Sequence, residues 1–247
     1  MNSKKNKAEV KRKSAALIIM KRELKTYFTS PIAYIVTGLF LLISGIFFFT
    51  TFYLQNRAEL RSLFSYFPMF LSFFIPALTM RVFAEERRLG SMETLMTLPI
   101  TEFQVTLGKY LASFIASVLM IAPTLLYIIP IEVFGSPEYG PIIGGYLGSI
   151  FLCACFTAIG LFSSSITKNQ IVAYFTGGAI CLAFTLVDTF LIFFPTSIVK
   201  FFNYISAKSH FTSISRGILD SRDFIYFLSL AVLFFALTVM HEQKQKR

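Results

Sequence analysis

The chain has 247 residues and a net charge of +10, and 55% of its residues are hydrophobic while only 15% are charged. Soluble domains carry about a quarter charged residues, so this composition, with a mean hydropathy of +0.67, excludes a soluble globular protein. The apolar residues form blocks of about 20, the length that crosses a bilayer core of about 30 Å. The sequence therefore predicts an all-α integral membrane protein with six transmembrane helices.

Lysine and arginine residues indicate the orientation of these helices, because positive charge accumulates on the cytoplasmic side of membrane proteins. With both termini inside, 17 of the 23 basic residues fall in cytoplasmic segments and six in outer loops. We therefore predict cytoplasmic N and C termini. The basic balance follows from this topology, so nucleic acid is not expected as a partner.

Two segments precede the first span. Residues 1–13 hold six lysine and arginine residues and are predicted to form a basic, solvated cytoplasmic tail that also contacts anionic membrane lipids. Residues 14–29 are predicted to form an amphipathic helix that lies in the membrane interface; an extension of the first span is the competing interpretation. The apolar face of this helix holds Leu17, Met20, Leu24, Tyr27 and Phe28, and its basic face holds Lys21, Arg22 and Lys25.

Six apolar segments follow, separated by polar loops. Pro31 suits the first turn of the first span, where the missing N–H is not needed. The interfacial helix and the spans form one predicted transmembrane domain over residues 14–240, followed by a cytoplasmic tail at 241–247. The predicted spans are 31–54, 63–80, 103–131, 142–163, 171–194 and 224–240, with a cytoplasmic elbow at 81–102 and an outer interfacial segment at 195–223.

Prolines and glycines mark irregular positions within the spans. Pro68 and Pro76 lie in the second span, where each removes a backbone hydrogen bond and favours a kink. These two prolines are candidates for lining a substrate pathway, although membrane helices also accommodate prolines without a functional role. Gly140, Gly144 and Gly148 stand four residues apart, which predicts that another helix approaches closely there.

Asp188 is the acidic residue predicted to lie within a span. A carboxylate in hydrocarbon is costly, so Asp188 is a candidate pathway residue that contacts an ion or a substrate. It lies in the outer half of the fifth span, shortly before Pro195, where water reaches. A structural or interfacial role is therefore the first interpretation, and the pathway role stays open.

The polar stretch between the second and third spans is the most distinctive part of the chain. Arg81 to Leu89 is predicted to form a short charged helix, which Gly90 ends in the manner of a C-terminal cap glycine. A second short helix is predicted over residues 91–97. It exposes Met92, Leu95 and Met96 beside Glu93.

An apolar knob inside a charged rim suits a groove on a partner protein, and methionine adapts well to such a groove. An ordinary solvated loop is the alternative. The third span begins after this stretch, because Thr101 and Gln104 have the spacing of a capping box.

The chain lacks the motifs of the common catalytic and nucleotide-binding sites. It has no G-x-x-x-x-G-K-[ST] phosphate loop, no H-E-x-x-H and no G-x-S-x-G. Glu85 and Glu86 match the start of the E-E-x-x-x-R pattern of membrane proteases, but position 90 is glycine rather than arginine. The three cysteines lie in apolar runs without metal-ligand spacing. We therefore expect no catalytic residue, no metal site and no directly bound cofactor.

The segment TMRVFAEERRLGSMETLMTLPITEFQVTLGKYLA, which begins at Thr79, resembles the signature of the permeases of bacterial ABC-2 type transporters. The likeness rests on M-R-x-F-A-E-E, then G-[ST]-x-E, a proline and a final G-K. Three further segments, TSPIAYIVTGLFLL, TAIGLFSSSITKNQIVAYF and HFTSISRGILDSRDFIYFLSL, extend it over about residues 20–240. The branch that it resembles most is that of the gliding-motility-associated permeases.

The resemblance implies a permease subunit without ATPase activity, in the inner membrane of a bacterium. A separate cytoplasmic ATPase subunit would bind ATP and Mg²⁺, two permeases would pair as a homodimer or with a sister, and an extracytoplasmic accessory protein is compatible with this plan. By position, the interfacial helix and the elbow would form the ATPase-coupling surface. Its residues would be Lys21, Arg22, Lys25, Arg81, Glu85, Glu86, Arg87, Arg88, Met92, Glu93, Leu95 and Met96.

Three functions are compatible with the sequence. The first is an ATPase-driven ABC-2 permease that exports its substrate. The second is an ABC-like membrane scaffold whose ATP cycle drives assembly or motility machinery. The third is an ATP-independent secondary transporter, although residues 31–130 and 142–240 lack the inverted repeat that would favour it. No motif specifies the substrate.

Overall fold

The computed structural model of the chain is helical in every regular element that it describes, in agreement with the predicted all-α class. The predicted coupling residues Met92, Glu93, Leu95 and Met96 lie outside the described residues. The structure describes residues 2–54 (side chains from residue 15), 59–91, 100–135, 137–190, 204–218 and 220–245.

The described helices pack into one bundle. A 3-10 segment at Ala122–Tyr127 interrupts the third span. In chain order the α-helices are α1 Asn2–Thr29, α2 Pro31–Leu54, α3 Arg61–Thr79, α4 Arg81–Arg88, α5 Glu102–Ile121, α6 Ile128–Phe134, α7 Tyr139–Ile166, α8 Gln170–Phe190, α9 Ala207–Ser215 and α10 Ser221–Gln245.

Six stretches of the described chain are long and apolar enough to cross a membrane. This finding confirms the predicted number of spans and makes the chain a multi-pass membrane protein. The helices α2, α7, α8 and α10 each supply one span, while α3 continues into α4. The third span is composite, because α5 continues through the 3-10 segment into α6 and reaches from Glu102 to Phe134.

Prolines act differently in the second and third spans. Pro123 lies in the first turn of the 3-10 segment, where the missing backbone donor ends the α-helical hydrogen bonding. Pro68 and Pro76 instead lie inside a continuous α3. Ser72 Oγ donates to the Pro68 carbonyl at 2.6 Å, a bond from residue i to residue i−4 of the kind that often accompanies a bend in a helix.

The helix α1 begins at Asn2, within the segment predicted to be a solvated tail. Lysine, which supplies five of the first 13 residues, is a good helix former. Ala16, Ile19 and Tyr27 are buried where α1 packs against α5. Leu17 and Phe28, which the sequence places on the same apolar face as Tyr27, are 49% and 54% exposed.

Of the glycines that the sequence predicts to admit another helix, Gly144 and Gly148 receive α9 rather than another membrane span. The helix α9 packs against α7, and its Phe211 and Ile214 are fully buried. A Cβ at position 148 would lie 3.2 Å from the Phe211 ring, and one at position 144 would overlap the Ile214 carbonyl oxygen. The predicted close approach is therefore present at Gly144 and Gly148 but not at Gly140, where nothing lies within 4 Å of an added Cβ. The segment predicted to be interfacial supplies the helix that makes it.

The two ends of the bundle carry different elements. At one end, which we call the elbow end, α1, α4, the turn between α7 and α8 and the last turn of α10 meet. At the opposite end, α9 lies beside the turn that leads into α7, where Gly217 faces Gly140. Because the number of spans is even, the chain enters and leaves the bundle at the elbow end.

Two local signals in the elbow have the structure that the sequence predicts. Gly90 has φ of +72°, a conformation that residues with a Cβ rarely adopt, and α4 ends two residues before it. At the start of α5, the backbone N–H of Thr101 donates to Gln104 Oε1 at 3.2 Å. This is one half of a capping box, and it sets the first residue of the third span.

Candidate functional site

The start of α4 is fixed by a serine from α7. Ser164 Oγ accepts hydrogen bonds from the backbone N–H groups of Phe83 at 3.0 Å and Ala84 at 3.1 Å. The same hydroxyl donates to the Met80 carbonyl at 2.8 Å. Donors in the first turn of a helix have no partner within that helix, so Ser164 satisfies them. The elbow helix is thus held to the bundle through its backbone.

Lys109 of α5 is fully buried beneath α4. Its Nζ donates to the Val82 carbonyl at 2.7 Å and lies 4.9 Å from the centre of the Phe83 ring, within cation–π range. Nζ also lies 2.8 Å from Glu86 Oε2, as an ion pair outside the direction of a hydrogen bond, and 3.5 Å from Glu23 Oε1. Because an unpaired buried charge is strongly unfavourable, Lys109 fixes α1 and α4 relative to α5.

The helix α1 reaches Lys109 because the preceding residue is glycine. A Cβ at position 108 would lie 2.7 Å from the Ala16 carbonyl oxygen and 2.9 Å from Ile19 Cβ. These distances are shorter than van der Waals contact, so a side chain at position 108 would push α1 away. The G-K pair therefore has two roles, since Gly108 admits α1 and Lys109 forms the ion pairs.

An arginine and a carboxylate of α1 join this cluster. Arg22 Nη2 donates to Glu23 Oε1 at 2.7 Å and to Glu86 Oε1 at 3.0 Å. Burial by itself raises the pKa of Glu23, but Lys109 and Arg22 outweigh burial and hold that pKa below its usual value of 4.5. Glu23 is therefore ionised at neutral pH and serves as a permanent partner for both cations.

Tyr27 closes the contact between α1 and the spans. Its hydroxyl donates to the Leu78 carbonyl at 3.1 Å and lies 3.0 Å from Ser113 Oγ. The guanidinium of Arg81 lies 5.2 Å from the centre of the tyrosine ring and donates to Ser30 Oγ. Burial raises the pKa of Tyr27 to about 12, so the hydroxyl keeps its proton at neutral pH.

The last span enters the site through a buried ion pair. Arg87 Nη2 donates to Glu242 Oε1 at 2.5 Å, and the two side chains are 6% and 2% exposed. Glu242 also lies within electrostatic range of Lys109 and Glu86. The end of α10 is thereby connected to the elbow helix and to the lysine beneath it.

These ion pairs form one charge-balanced cluster, which we call the elbow network. Three cations and three anions come from four helices, so the partly buried site carries no net formal charge. In the part of the chain that the structure describes, the elbow network consists of Arg22, Glu23, Glu86, Arg87, Lys109 and Glu242.

The structure divides the predicted coupling residues into two groups. Glu86 and Arg87 face inward, into the elbow network, while Arg22 and Arg81 tie α1 to the bundle. The others remain at the outer surface of α1 and α4. They are Lys21, Lys25, Glu85 and Arg88, of which Glu85 is half-buried and the rest are exposed.

A cleft of about 280 Å³ lies between α1 and α4. Arg22 and Thr26 line it from α1, and Glu85 and Leu89 line it from α4. Leu89 is 67% exposed, so an apolar side chain stands at the rim of a charged cleft. Because the elbow network fixes both walls, this surface is preformed.

The three candidate pathway residues lie on two helices that pack against each other, α3 and α8. Pro68 and Pro76 are buried within α3, and Asp188 lies near the end of α8 that is remote from the elbow. Asp188 Oδ2 is 3.5 Å from Lys208 Nζ, and both side chains are partly exposed. This cationic partner favours the structural interpretation of Asp188, and a pathway role for the three residues stays a prediction.

Sequence reasoning missed Lys109, Glu242 and Ser164 as members of the site. For Lys109 a signal was present, because a lysine that follows a helix start and precedes an apolar span requires a partner. Glu242 stands among several charged residues of the C-terminal tail, and Ser164 stands in a run of three serines. Neither of these two patterns distinguishes a packed residue from a solvated one.

Residues 53–240, more than half of the chain, match the family described as ABC-2 family transporter protein. The chain belongs to this family. The matched region contains the elbow helix, Lys109 and the spans that surround them, while α1 and most of α2 precede it. A comparison with curated proteins gives no significant match.

Membership of the ABC-2 family gives the elbow network its context. The members are membrane permeases, are typically not enzymes, and generally pair with a cytoplasmic ATPase. The chain itself carries no phosphate-loop motif. The ion pairs of the elbow network join α1, α4, α5 and α10.

Proposed function

We propose that the chain is the permease subunit of an ATP-driven exporter and that the cleft between α1 and α4 docks a separate cytoplasmic ATPase subunit. The observation that carries this proposal is the division of the elbow into a fixed inner face and an open outer face. Glu86 and Arg87 hold the inner face. Glu85 and Leu89 line the cleft on the outer face, next to the exposed Arg88.

A rigid elbow transmits a push from a partner, whereas a flexible loop would absorb it. A displacement of α4 acts on Ser164 of α7, Lys109 of α5 and Glu242 of α10, so three spans respond to it. ATP binding favours one arrangement of the two ATPase subunits in this scheme. A coupling free energy of about 1–3 kcal/mol changes affinity five- to 150-fold, and the partner holds ATP and Mg²⁺.

Orientation and assembly belong to the same proposal. The elbow end and both termini face the cytoplasm, in the inner membrane of a bacterium, which the distribution of basic residues supports. Two permeases pair, either identical or sister, as the resemblance to gliding-motility-associated permeases implies. The exposed Lys21 and Lys25 lie where anionic lipid headgroups would meet them.

The test is co-purification of the tagged chain from its native host in mild detergent, followed by an ATPase assay. We expect an ATPase subunit to accompany the wild type. A Glu85→Ala/Leu89→Ala variant is changed only at the cleft. About tenfold less ATPase should co-purify with it than with the wild type, because it loses two contacts, each with the free energy of a surface ion pair or a small apolar contact.

The matched control is Glu132→Ala, which removes an exposed carboxylate at the opposite end of the bundle. It should retain as much ATPase as the wild type. Absence of an ATPase from the wild type in several mild detergents would contradict the proposal, and so would equal loss in the control.

A further inference from the structure

The elbow network contains one ion pair whose geometry is not that of a pair optimised for stability. Arg87 and Glu242 are almost fully buried and meet through a single hydrogen bond of 2.5 Å. The desolvation of two charges tends to exceed what their attraction returns unless every polar atom is satisfied. A well-packed apolar pair at these positions would stabilise the fold at least as well.

Each partner keeps a buried atom without a hydrogen bond among the described residues. These atoms are Arg87 Nε and Glu242 Oε2. Arginine and a carboxylate commonly meet through two parallel hydrogen bonds, whereas this pair uses one donor and one acceptor. A small rotation of the guanidinium would bring the unused Nε donor to the unused Oε2 acceptor, beside the existing Nη2–Oε1 bond. The pair can therefore hold through one hydrogen bond or through two, so it persists when one helix is displaced slightly past the other.

Arg87 is the residue through which α10 enters the elbow network. Glu242 is 1% exposed, while Gln243 and Lys244 of the same turn are exposed. Glu242 is thus the side chain of this turn that faces the bundle. The remainder of α10 packs on α7 and α5, so the pair is positioned to pass a movement of α4 to the last span.

We infer that Arg87 and Glu242 form a sliding tether that makes α10 follow the elbow helix when α4 is displaced. Glu242 is a positioning residue in this mechanism, since it reaches the outer face of the elbow only through Arg87. The tether rests on the proposed function, because a docked ATPase supplies the displacement. During the movement the Nη2–Oε1 hydrogen bond is kept and a second one forms between Nε and Oε2.

The test uses three variants in the complex of the full-length permease with its ATPase. Glu242→Gln keeps an acceptor oxygen but leaves the buried Arg87 cation without a counter-ion. Arg87→Gln/Glu242→Gln removes both charges and leaves none unpaired, so it separates folding from coupling. Lys244→Gln removes an exposed charge from the same turn and serves as the control.

The midpoint of thermal unfolding measures the stability of the fold, and the stimulation of ATPase activity by the permease measures coupling. The Glu242→Gln variant should have a lower midpoint and a lower stimulation than the wild type. The double variant should unfold within about 3 °C of the wild type, yet its stimulation should be at least about fivefold lower, while Lys244→Gln matches the wild type in both. Wild-type stimulation in the double variant would make the pair purely structural and overturn the tether.

A measurement of the distance between the elbow and α10 tests the tether directly. Spin labels at Ser91→Cys and Gln243→Cys, both at exposed positions, report the separation of the elbow from α10, and the three native cysteines are buried. In the otherwise wild-type protein this separation should stay nearly constant between the nucleotide-free and ATP-bound complexes. In the double variant it should change or broaden when ATP binds.

The experiments distinguish a failure of the proposed function from a failure of the tether. If no ATPase binds the wild type, the proposed function is contradicted before the tether is tested. If the complex assembles and hydrolyses ATP, but the label distances respond to ATP equally in the wild type and the double variant, only the tether is overturned.

Discussion

Lys109 Nζ lies 2.8 Å from Glu86 Oε2, although the lysine is fully buried and the glutamate belongs to a different helix. Lys109 of the third span thus provides a buried cation that pairs with Glu86 of the elbow helix. Removal of either partner would weaken the ion pairing of a partly buried site, although Lys109 would keep Glu23 and Glu86 would keep Arg22. The elbow helix α4 is consequently part of the bundle, and its inner face is not free to move as a loop.

Replacement of Lys109 by methionine should destabilise the protein by on the order of 3–5 kcal/mol, the usual effect of removing one partner of a buried ion pair. Glu23 and Glu86 have side chains only 12% and 20% exposed, and both would lose a cation. The unfolding midpoint in detergent should fall by several degrees. Lys168→Met, at an exposed position at the same end, should change stability by less than about 0.5 kcal/mol; equal effects would mean that Lys109 does not organise the site.

Gly108→Ala should displace α1 from α5, because the added Cβ would lie 2.7 Å from the Ala16 carbonyl oxygen. Trypsin should then cleave after Lys21 and Lys25 faster than in the wild type. Gly38→Ala is the matched control, since nothing lies within 4 Å of a Cβ there and alanine favours a helix by about 0.5–1 kcal/mol. Identical cleavage rates in the two variants would argue against the close contact.

The ion pairs of Glu23 should weaken in acid. Lys109 and Arg22 overcome the effect of burial and place the pKa of Glu23 below 4.5 in the folded protein, so the unfolded chain binds this proton first. The stabilisation is therefore complete above about pH 4.5 and is lost as the pH falls through the folded pKa. Unfolding midpoints of the wild type and Glu23→Gln should differ at pH 7 and converge below pH 4.5. A gap that persists in stronger acid would contradict this role of Glu23.

Gly90→Ala should strain the end of the elbow helix, because φ is +72° at this position. The expected cost is about 1–2 kcal/mol, and Gly90→Asn should cost less, since asparagine tolerates this conformation. No atom lies within 4 Å of an added Cβ, so the loss would report backbone strain alone. ATPase stimulation and unfolding midpoint should both rank glycine above asparagine above alanine; the reverse order of the two variants would argue against a backbone cause.

Local features of the sequence predicted the helical class and the number of spans correctly. Six spans follow from apolar length, because crossing a bilayer is a property of each segment by itself. The break at Gly90 and the half capping box at Thr101 are likewise decided by neighbouring residues. The helix at residues 2–13 shows the limit of this reasoning, since a basic segment of good helix formers is compatible with a helix and with a solvated tail.

The elbow network was not predictable in the same way, because it depends on how helices pack. Glu85 and Glu86 are adjacent, chemically identical and both at the cleft, and only the rotation of α4 about its axis makes Glu86 the one that pairs with Lys109. Glu242 becomes a partner of Arg87 only once α10 is placed beside the elbow. Similarly, nothing local indicates that α9 fills the groove at Gly144.

Site-specific cross-linking from the outer face of the elbow is the most direct test of ATPase docking. A photoreactive residue in place of Leu89, which is 67% exposed at the cleft, should capture in intact cells a protein that carries a phosphate-loop ATPase sequence. The same residue in place of Phe134, 74% exposed at the opposite end, should capture no such protein. Failure of Leu89 to capture an ATPase, or equal capture from Phe134, would contradict the assignment of the elbow as the docking surface.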